Sequence, residues 1–508
     1  MKARVSMLIL LVLVAVQAVA AQAPGAEFDE YVNKALRDWG VPGVAIAIVK
    51  DDKVVLAKGF GVRELNKPEP VDENTLFAIG SSSKAFTAAA IAMLVDEGKL
   101  KWDDSATKHL PGFQLFDPYS TRELTITDLL SHRSGLTRGD LLWYASGHDR
   151  SEVLRRVRYL KPSWSLRSRY GYQNIMFLAA GQIVPSITGK TWDDFIRERL
   201  FTPLGMKSST TSIKAFAPSA NVASPHSKIN DKIQAVSWRN IDNIAPAGSI
   251  NSNVTDMAQW VRLQLGGGVY QNQRLLSAAS IKEMQTPQTI IRLEGMQGSL
   301  YPEAHFLTYG LGWFVSDYRG KKVVEHGGAI DGMRAQVAML PEEKLGLVVL
   351  TNLHGNVLPV ALMYKIFDIY LNAPPRDWSA DMLKVRNTLE EQAKAAEKKA
   401  ESERVQGTSP SLALDKYAGT FQSEMYGEAK IALENDKLVL RFGPNFTGDL
   451  QHWHYDTFRV VWRDQMQGKG FVNFRLNTAA KVDVINIENL SEFTRVPEPA
   501  KTMTSAKE

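Results

Sequence analysis

A serine hydroxyl is a weak nucleophile until a base sits beside it. One stretch of the chain supplies both groups: Ser81-Ser82-Ser83-Lys84, directly before an apolar run. A residue and its i+3 neighbour share a helix face. If a helix begins here, the Ser81 hydroxyl and the Lys84 amine meet at its N-terminus, where free backbone N–H groups point outward. The lysine serves as a base only if burial or nearby cations bring its pKa down from about 10.4. The alternative is that the serines cap the helix and Lys84 is solvated; S-x-x-K alone recurs by chance. A second run, Tyr172-Gln173-Asn174, joins a phenol that can relay protons to an amide that can hydrogen-bond a substrate amide. Tyr170 is a rival in the same run, but only Tyr172 has an asparagine two positions on. The third run is His326-Gly327-Gly328, leaving a strand-like segment at 322–325. Its glycines let a substrate backbone approach a strand edge and add to the sheet. The imidazole offers a donor or a positive charge. Taken singly, each run reads more simply as a cap, a loop tyrosine or a strand-end turn.

The surrounding pattern says what must hold these groups. Residues 43–57 read as two β runs around the polar Lys50-Asp51-Asp52-Lys53 turn. Residues 84–97 read as a helix stopped by Gly98. Pro185 is expected to end or bend the helix after Asn174. Strand patterns return at 322–325, 334–340 and 345–350. Strands at both ends with helices between them point to one α/β domain whose sheet unites the chain ends. Residues 380–405 turn rich in Ala, Glu, Lys and Arg, an exposed helix with pairs such as Glu390 and Lys394. Residues 414–495 carry short strands at 430–433, 437–442, 458–462, 471–476 and 482–487, the pattern of a small antiparallel barrel.

Composition narrows the function. The 508 residues are 44% hydrophobic and 23% charged, ordinary for globular proteins. Sixty basic against 55 acidic residues leave a net charge of +5, little reason to propose nucleic-acid binding. With no cysteine, disulfides, thiolate metal sites and a cysteine nucleophile are excluded. Lys2 and Arg4, an apolar run at 8–20 and the Ala18-Val19-Ala20 site, with Ala21-Gln22-Ala23 as a second, read as a secretory signal peptide at 1–20; the alternative is an uncleaved anchor, for which the run is short, so a secreted or periplasmic protein is expected. No later run is long enough to span a membrane.

The order of the three runs carries more than any one of them. S-x-x-K, then Y-x-N, then a basic residue with glycine at +2 resembles the serine β-lactamase and penicillin-binding-protein-like hydrolases. The match is closest to the class C β-lactamase-like branch, which includes D-aminopeptidases, D-alanyl-D-alanine peptidases and esterases. Leu129-Leu130-Ser131-His132-Arg133-Ser134-Gly135-Leu136, Pro203-Leu204-Gly205-Met206, Ala247-Gly248-Ser249 with Asp256, and Thr351-Asn352 add to it. The likeness covers 27–371. It implies an α/β (α+β) catalytic domain at 27–375 with a central antiparallel sheet and helices, then a charged helical linker at 376–410. Residues 411–498 resemble the lipocalin-like barrel appended to many of these hydrolases, through Tyr417-Ala418-Gly419, Tyr426-Gly427 and the run from His452 to Phe458. His452 and His454 would share a strand face and could bind metal, but no third ligand is evident, so packing is the expected role.

By resemblance, Ser81 is the acylated nucleophile, and Lys84 and Tyr172 share the acid/base work in an order left open. Asn174 holds the substrate amide, His326 takes the place of the basic residue, and Gly327 and Gly328 line the substrate strand. The N–H groups of Ser81 and Ala329 form the oxyanion hole. No metal or organic cofactor is implied. Where efficient class C enzymes carry Lys-Thr-Gly, this chain has His-Gly-Gly, without the ammonium and hydroxyl that would contact a β-lactam carboxylate. The expected activity is therefore hydrolysis of short, D-residue-containing peptides such as cell-wall fragments. A carboxylesterase or weak β-lactamase is the alternative within enzymes, and a penicillin- or peptidoglycan-binding module with little turnover is the alternative outside them. A homo-oligomer is compatible with the sequence.

Overall fold

The computed structural model describes residues 23–217 and 221–497. The expected signal peptide lies outside them. Eight strands form one antiparallel sheet: β1 (Gly43–Lys50), β2 (Lys53–Gly61), β3 (Thr289–Ile291), β4 (Leu307–Tyr309), β5 (Phe314–Tyr318), β6 (Lys321–Ile330), β7 (Met333–Leu340) and β8 (Leu345–Thr351). Their order across the sheet is β2-β1-β8-β7-β6-β5-β4-β3. The first hairpin thus pairs with the last strand, Val44 facing Thr351, and the sheet unites the chain ends as expected. β1 and β8 are buried almost throughout, as strands covered on both faces must be.

One face carries α1 (Ala26–Trp39), α5 (Leu358–Tyr370) and the start of α6 (Trp378–Ser402). The other carries α2 (Ser83–Asp96), α3 (Asn174–Thr188) and α4 (Val254–Leu265). α2 is apolar all round and buried along most of its length, the mark of a central helix. Its alanines admit close neighbours, and Phe86 stacks on Trp260 of α4 at 4.0 Å. Pro185 does not end α3, which runs on to Thr188 and a left-handed Gly189. Only one turn follows the proline, and the Ser186 and Thr188 hydroxyls donate to the Ile183 and Val184 carbonyls there.

α6 is anchored by Trp378, whose indole donates to Asp368 at 2.7 Å, and then becomes exposed. Glu390 pairs with Arg386 and Lys228 rather than with Lys394. Near its end Glu397 and Glu401 pair with Lys469 and Arg459, reaching a closed barrel of eight consecutive antiparallel strands between Gly419 and Arg495. The barrel closes where Phe421 faces Arg495. Its buried residues alternate along the strands, as in Gly427–Glu434. Three of its strands, Gly419–Ser423, Phe446–His454 and Glu492–Arg495, were not expected as strands from the sequence. The barrel rests on the segment between the second and third helices: Asn445 donates to the Ala145 carbonyl and Arg156 to the Glu424 carbonyl. Among the described residues no helix is long and apolar enough to cross a membrane.

Candidate active site

Ser81 lies in a 3₁₀ turn, Gly80–Ser82, that feeds directly into α2. Its neighbours do not cap the helix with their side chains. Ser82 Oγ donates to the His326 carbonyl at 2.9 Å, and Ser83 Oγ accepts from Ile250 N–H at 3.1 Å. Both serines therefore fasten the turn to surrounding backbone and leave Ser81 partly exposed above it. The turn presses against β6. A Cβ on Gly328 would stand 1.8 Å from the Ile79 carbonyl oxygen, and one on Gly80, where φ is +51°, 2.5 Å from Ala329 N. Only glycine fits at either place.

Lys84 is wholly buried, and its Nζ has three neighbours: Ser81 Oγ at 3.0 Å, Asn174 Oδ1 at 2.7 Å and the Ala247 carbonyl at 2.8 Å. Burial pushes the ammonium well below its ordinary pKa; Arg138 works in the same direction and Asp140 against it. A neutral amine has two N–H donors and one lone pair. Asn174 Oδ1 and Ala247 O can only accept, so they take the two donors and the lone pair is left facing the serine hydroxyl. Tyr172 donates its O–H to Ser81 Oγ at 2.7 Å. Burial holds its phenol above the ordinary range, against the pull of the Ser81 hydrogen bond and Arg138. As a neutral amine Lys84 could take the serine proton, and Tyr172 could supply one. Tyr170 is out of reach of Ser81 and packs on His132, Tyr309 and Phe314 instead.

Asn174 begins α3 and is committed at both ends, to Lys84 and, through Nδ2, to Asp140 Oδ1 at 2.8 Å. In this state it holds Lys84, and the second N–H of its amide remains for a substrate. His326 is in the interior of β6, not at a strand exit, because pairing with β7 continues to Ile330 opposite Met333. Its Nδ1 lies 2.6 Å from the Gly327 carbonyl and so carries the proton, which leaves Nε2 to accept from Tyr309 O–H at 2.8 Å. Burial, the main cause, lowers its pKa to about 3. These two contacts are those of a neutral imidazole, where a donor or a positive charge was expected. β5 pairs with β6 only as far as Phe314 opposite Glu325. Beyond Glu325 no residue of β5 pairs with β6, and there Gly327, Gly328 and Ala329 line a cleft of about 460 Å³ that also contains Ser81, Tyr172 and Asn174.

Three further groups, none of them a named site residue at the outset, surround these side chains. Ala247 acts through its carbonyl and Asp140 through its grip on Asn174. Arg138, 4.8 Å above the Tyr172 ring, acts through its charge. Arg138, Asp140, Trp143 and Tyr144 from the segment at 138–155, and Gln297, Leu300 and Tyr301 from that at 290–306, line the cleft. In the barrel, a bulge falls between His452 and His454 and breaks the expected shared face. His452 Nε2 meets the Tyr455 carbonyl, and His454 Nδ1 accepts from Val405 N–H.

Comparison with known proteins places both parts of the chain. The Beta-lactamase family model matches residues 28–368, and a domain of unknown function, DUF3471, matches residues 403–501. An unguisins hydrolase, ungD', of Aspergillus campestris is 30% identical over 435 residues, 82% of this chain and 79% of that protein. The octameric penicillin-binding protein homologue from Pyrococcus abyssi superposes with a TM-score of 0.62 at 21% identity, over 92% of this chain and 99% of that one. D-amino acid amidase from Ochrobactrum anthropi SV3 gives 0.57 at 20% identity, over 71% and 100%. With the family model covering most of the chain and the serine, lysine and tyrosine gathered in one cleft, the protein belongs to the Beta-lactamase family of serine hydrolases.

Proposed function

We propose that the protein is an exported serine hydrolase that cleaves amide or ester bonds through an acyl-enzyme, with short D-residue-containing peptides as its main substrates. One observation carries this reading: Ser81 Oγ lies between the lone pair of a desolvated Lys84 and the O–H of Tyr172. Ser81 attacks the carbonyl as its proton passes to Lys84, and the carbonyl oxygen gains the negative charge. The Ser81 and Ala329 N–H groups receive that charge; one such donor is typically worth about 3–4 kcal/mol of barrier. Collapse of the intermediate breaks the bond to the leaving group, which takes a proton from Tyr172, and Tyr172 is reprotonated from Lys84. Water then attacks the ester, its proton returning through the same pair. The edge of β6 beyond Glu325 suits an extended peptide, since a strand added there gains backbone hydrogen bonds. Resemblance to an amidase of D-amino acids and to a hydrolase of unguisins supports the substrate class.

A fluorescent phosphonate or penicillin probe tests this on the protein and on Ser81→Ala, beside a p-nitrophenyl ester, nitrocefin and D- and L-aminoacyl anilides. Labelling lost in the variant, with D-anilide turnover, is the expected result. Equal labelling of the variant removes Ser81 from the mechanism. Ester or nitrocefin turnover alone makes the protein an esterase or lactamase, and labelling without turnover makes it a binding module. Export is tested by the N-terminal sequence of the protein outside the cytoplasm: loss of the first 20–23 residues is expected, and an intact Met1 would overturn it. Assembly into several copies is proposed by analogy with the octameric neighbour; a monomer by light scattering would refute it.

A further inference from the structure

The run from Leu129 to Leu136 has no part in the chemistry described so far, yet it places a buried imidazole beside the reacting groups. Ile126–Leu130 is a short helix, and His132 follows it with φ at +55°. That backbone shape is uncommon for a residue with a side chain, though histidine and asparagine take it more readily than most. The flanks are pinned. Arg133 donates to Asp128 at 2.6 Å, and the Ser131 carbonyl accepts from Thr289 Oγ1 of β3 at 2.8 Å.

Both polar ends of His132 reach the segment that carries Tyr172. Its carbonyl accepts from Gly171 N–H at 2.8 Å, and its Nδ1 accepts from Gln173 N–H at 3.0 Å. These are the residues on either side of the tyrosine. Between the two bonds the imidazole lies against the Tyr172 ring, with centroids 4.3 Å apart. Tyr309, Phe177 and Tyr170 pack around the same imidazole at 4.5, 5.2 and 5.7 Å. A ring nitrogen that accepts from a backbone N–H carries no proton, so the proton of the neutral ring is on Nε2. Nε2 is buried and has no hydrogen-bond partner among the described residues. A buried donor left unpaired costs stability, and an apolar ring kept only for packing would avoid that cost. Burial, with Lys84, His326 and Arg138, holds the imidazole below its ordinary pKa, which leaves Nδ1 able to accept.

We propose that His132 is the positioning residue for Tyr172. Its carbonyl and Nδ1 fix the backbone on both sides of the tyrosine, and its ring supports the plane of the phenol. The hydroxyl is thereby held 2.7 Å from Ser81 Oγ, where it delivers its proton to the leaving group. The assignment rests on the acyl-enzyme reading of Ser81 and Tyr172 and names what aims the tyrosine.

Leaving-group dependence tests it on the full chain. A departing amine needs a proton, whereas p-nitrophenolate leaves without one. Tyr172→Phe should lower kcat for an aminoacyl anilide by about 100-fold or more and acylation by a p-nitrophenyl ester far less. His132→Phe keeps a ring and loses the acceptor. It should show the same signature: kcat for the anilide down about 30-fold, KM within about 3-fold and the ester rate within about 5-fold. In His132→Asn the Oδ1 can accept in place of Nδ1 and the positive φ is tolerated, so anilide turnover should return to within about 5-fold of the unaltered protein. Combining His132→Phe with Tyr172→Phe should be no slower than Tyr172→Phe alone. Equal losses on anilide and ester, additive losses in the double variant, or a His132→Asn protein as slow as His132→Phe overturn the assignment. Should His132→Phe not fold, His132→Gly accommodates the positive φ, lacks the acceptor and carries the same comparison. A Tyr172→Phe protein that keeps full anilide turnover, or a Ser81 that escapes phosphonate labelling, rejects the acyl-enzyme reading instead, so the two failures are distinct.

Discussion

The cleft and the C-terminal barrel solve opposite problems with the same backbone pairing. In the barrel each strand pairs with its sequence neighbour, every edge is closed, and the interior is almost entirely apolar: Phe421, Ile431, Leu440, Phe458 and Phe493 are all buried. In the cleft a strand edge is left open, and the buried atoms include a lysine amine, an asparagine, an imidazole and a carboxyl. These come from chain positions as distant as 84, 174 and 326. The barrel's buried groups gain stability from leaving water. Those in the cleft are held at a cost, and that cost bears on their chemistry: burial is the main cause that takes Lys84 toward the neutral amine the proposed mechanism uses.

The contrast is sharpest at Lys84. Lys84→Met should lower acylation by about 10³-fold, within the range for a lost general base, measured as the rate of phosphonate labelling. Phe421→Ala should leave the labelling rate of the folded protein unchanged while costing about 3–5 kcal/mol of stability, read by urea unfolding. A Lys84→Met protein that still acylates at the normal rate would erase the distinction.

Two glycines offer the next comparison. Gly328→Ala drives a methyl into the Ile79 carbonyl, so β6 must move off the nucleophile turn; kcat should fall by about 100-fold or more. At Gly470 in the barrel a Cβ would meet its nearest atoms at 3.5 and 3.6 Å, ordinary contact, and Gly470→Ala should change stability by less than about 1 kcal/mol. Thermal melts and steady-state rates on the two variants check both.

pH separates the regions as well. A base whose pKa is depressed by folding binds more protons when unfolded, so stability rises with pH through the window between its two values. For His326 that window runs from about 3 to the ordinary 6.5: its contribution is present above 6.5 and is lost as pH falls toward 3. The unaltered protein should therefore lose on the order of 4 kcal/mol more than His326→Asn between pH 7 and pH 3.5, by denaturant titration. Equal losses would mean that the ring is charged in the fold. In kinetics, the acid limb of kcat/KM should lie well below the ordinary lysine range and the alkaline limb above that of tyrosine.

The smallest effect is expected where the regions touch. Gln467 donates to the Tyr144 hydroxyl and Asp464 pairs with Arg239, which holds Asp331 at the cleft wall. Gln467→Ala with Asp464→Ala should raise kcat/KM for longer peptides relative to short ones by about 3-fold, a gain in the range of loosened half-exposed pairs. An unchanged ratio would show that the barrel does not shape the cleft.

How much of this was legible in the sequence follows the same division. The hairpin at 43–61, the alanine-rich helix after Ser83 and strands such as Lys437–Phe442 show their own period. Phe446–His454 does not, because a glycine and a bulge interrupt it. In the cleft, Ser81 with Lys84 and Tyr172 with Asn174 were legible because each pair is local. His326 was legible as a position but not as a neutral ring, since its charge depends on burial and on Tyr309 from another strand. Gly327 and Gly328 read as a strand exit because glycine is a poor strand former, whereas β7 holds them in register. Asp140 had no local pattern to betray it, and the segment holding Ala247 was legible without the role of its carbonyl.

The stretch of β6 beyond Glu325 has one more consequence, for solubility. Unpaired N–H and C=O groups on a strand invite another polypeptide, and proteins that expose them risk stacking copy on copy. Here the stretch lies in a recess walled by Trp143, Tyr144, Leu300 and Tyr301. A thin, flexible chain can enter, and the flat rim of a neighbouring sheet cannot. Any strand that is to pair there must first fit between these walls.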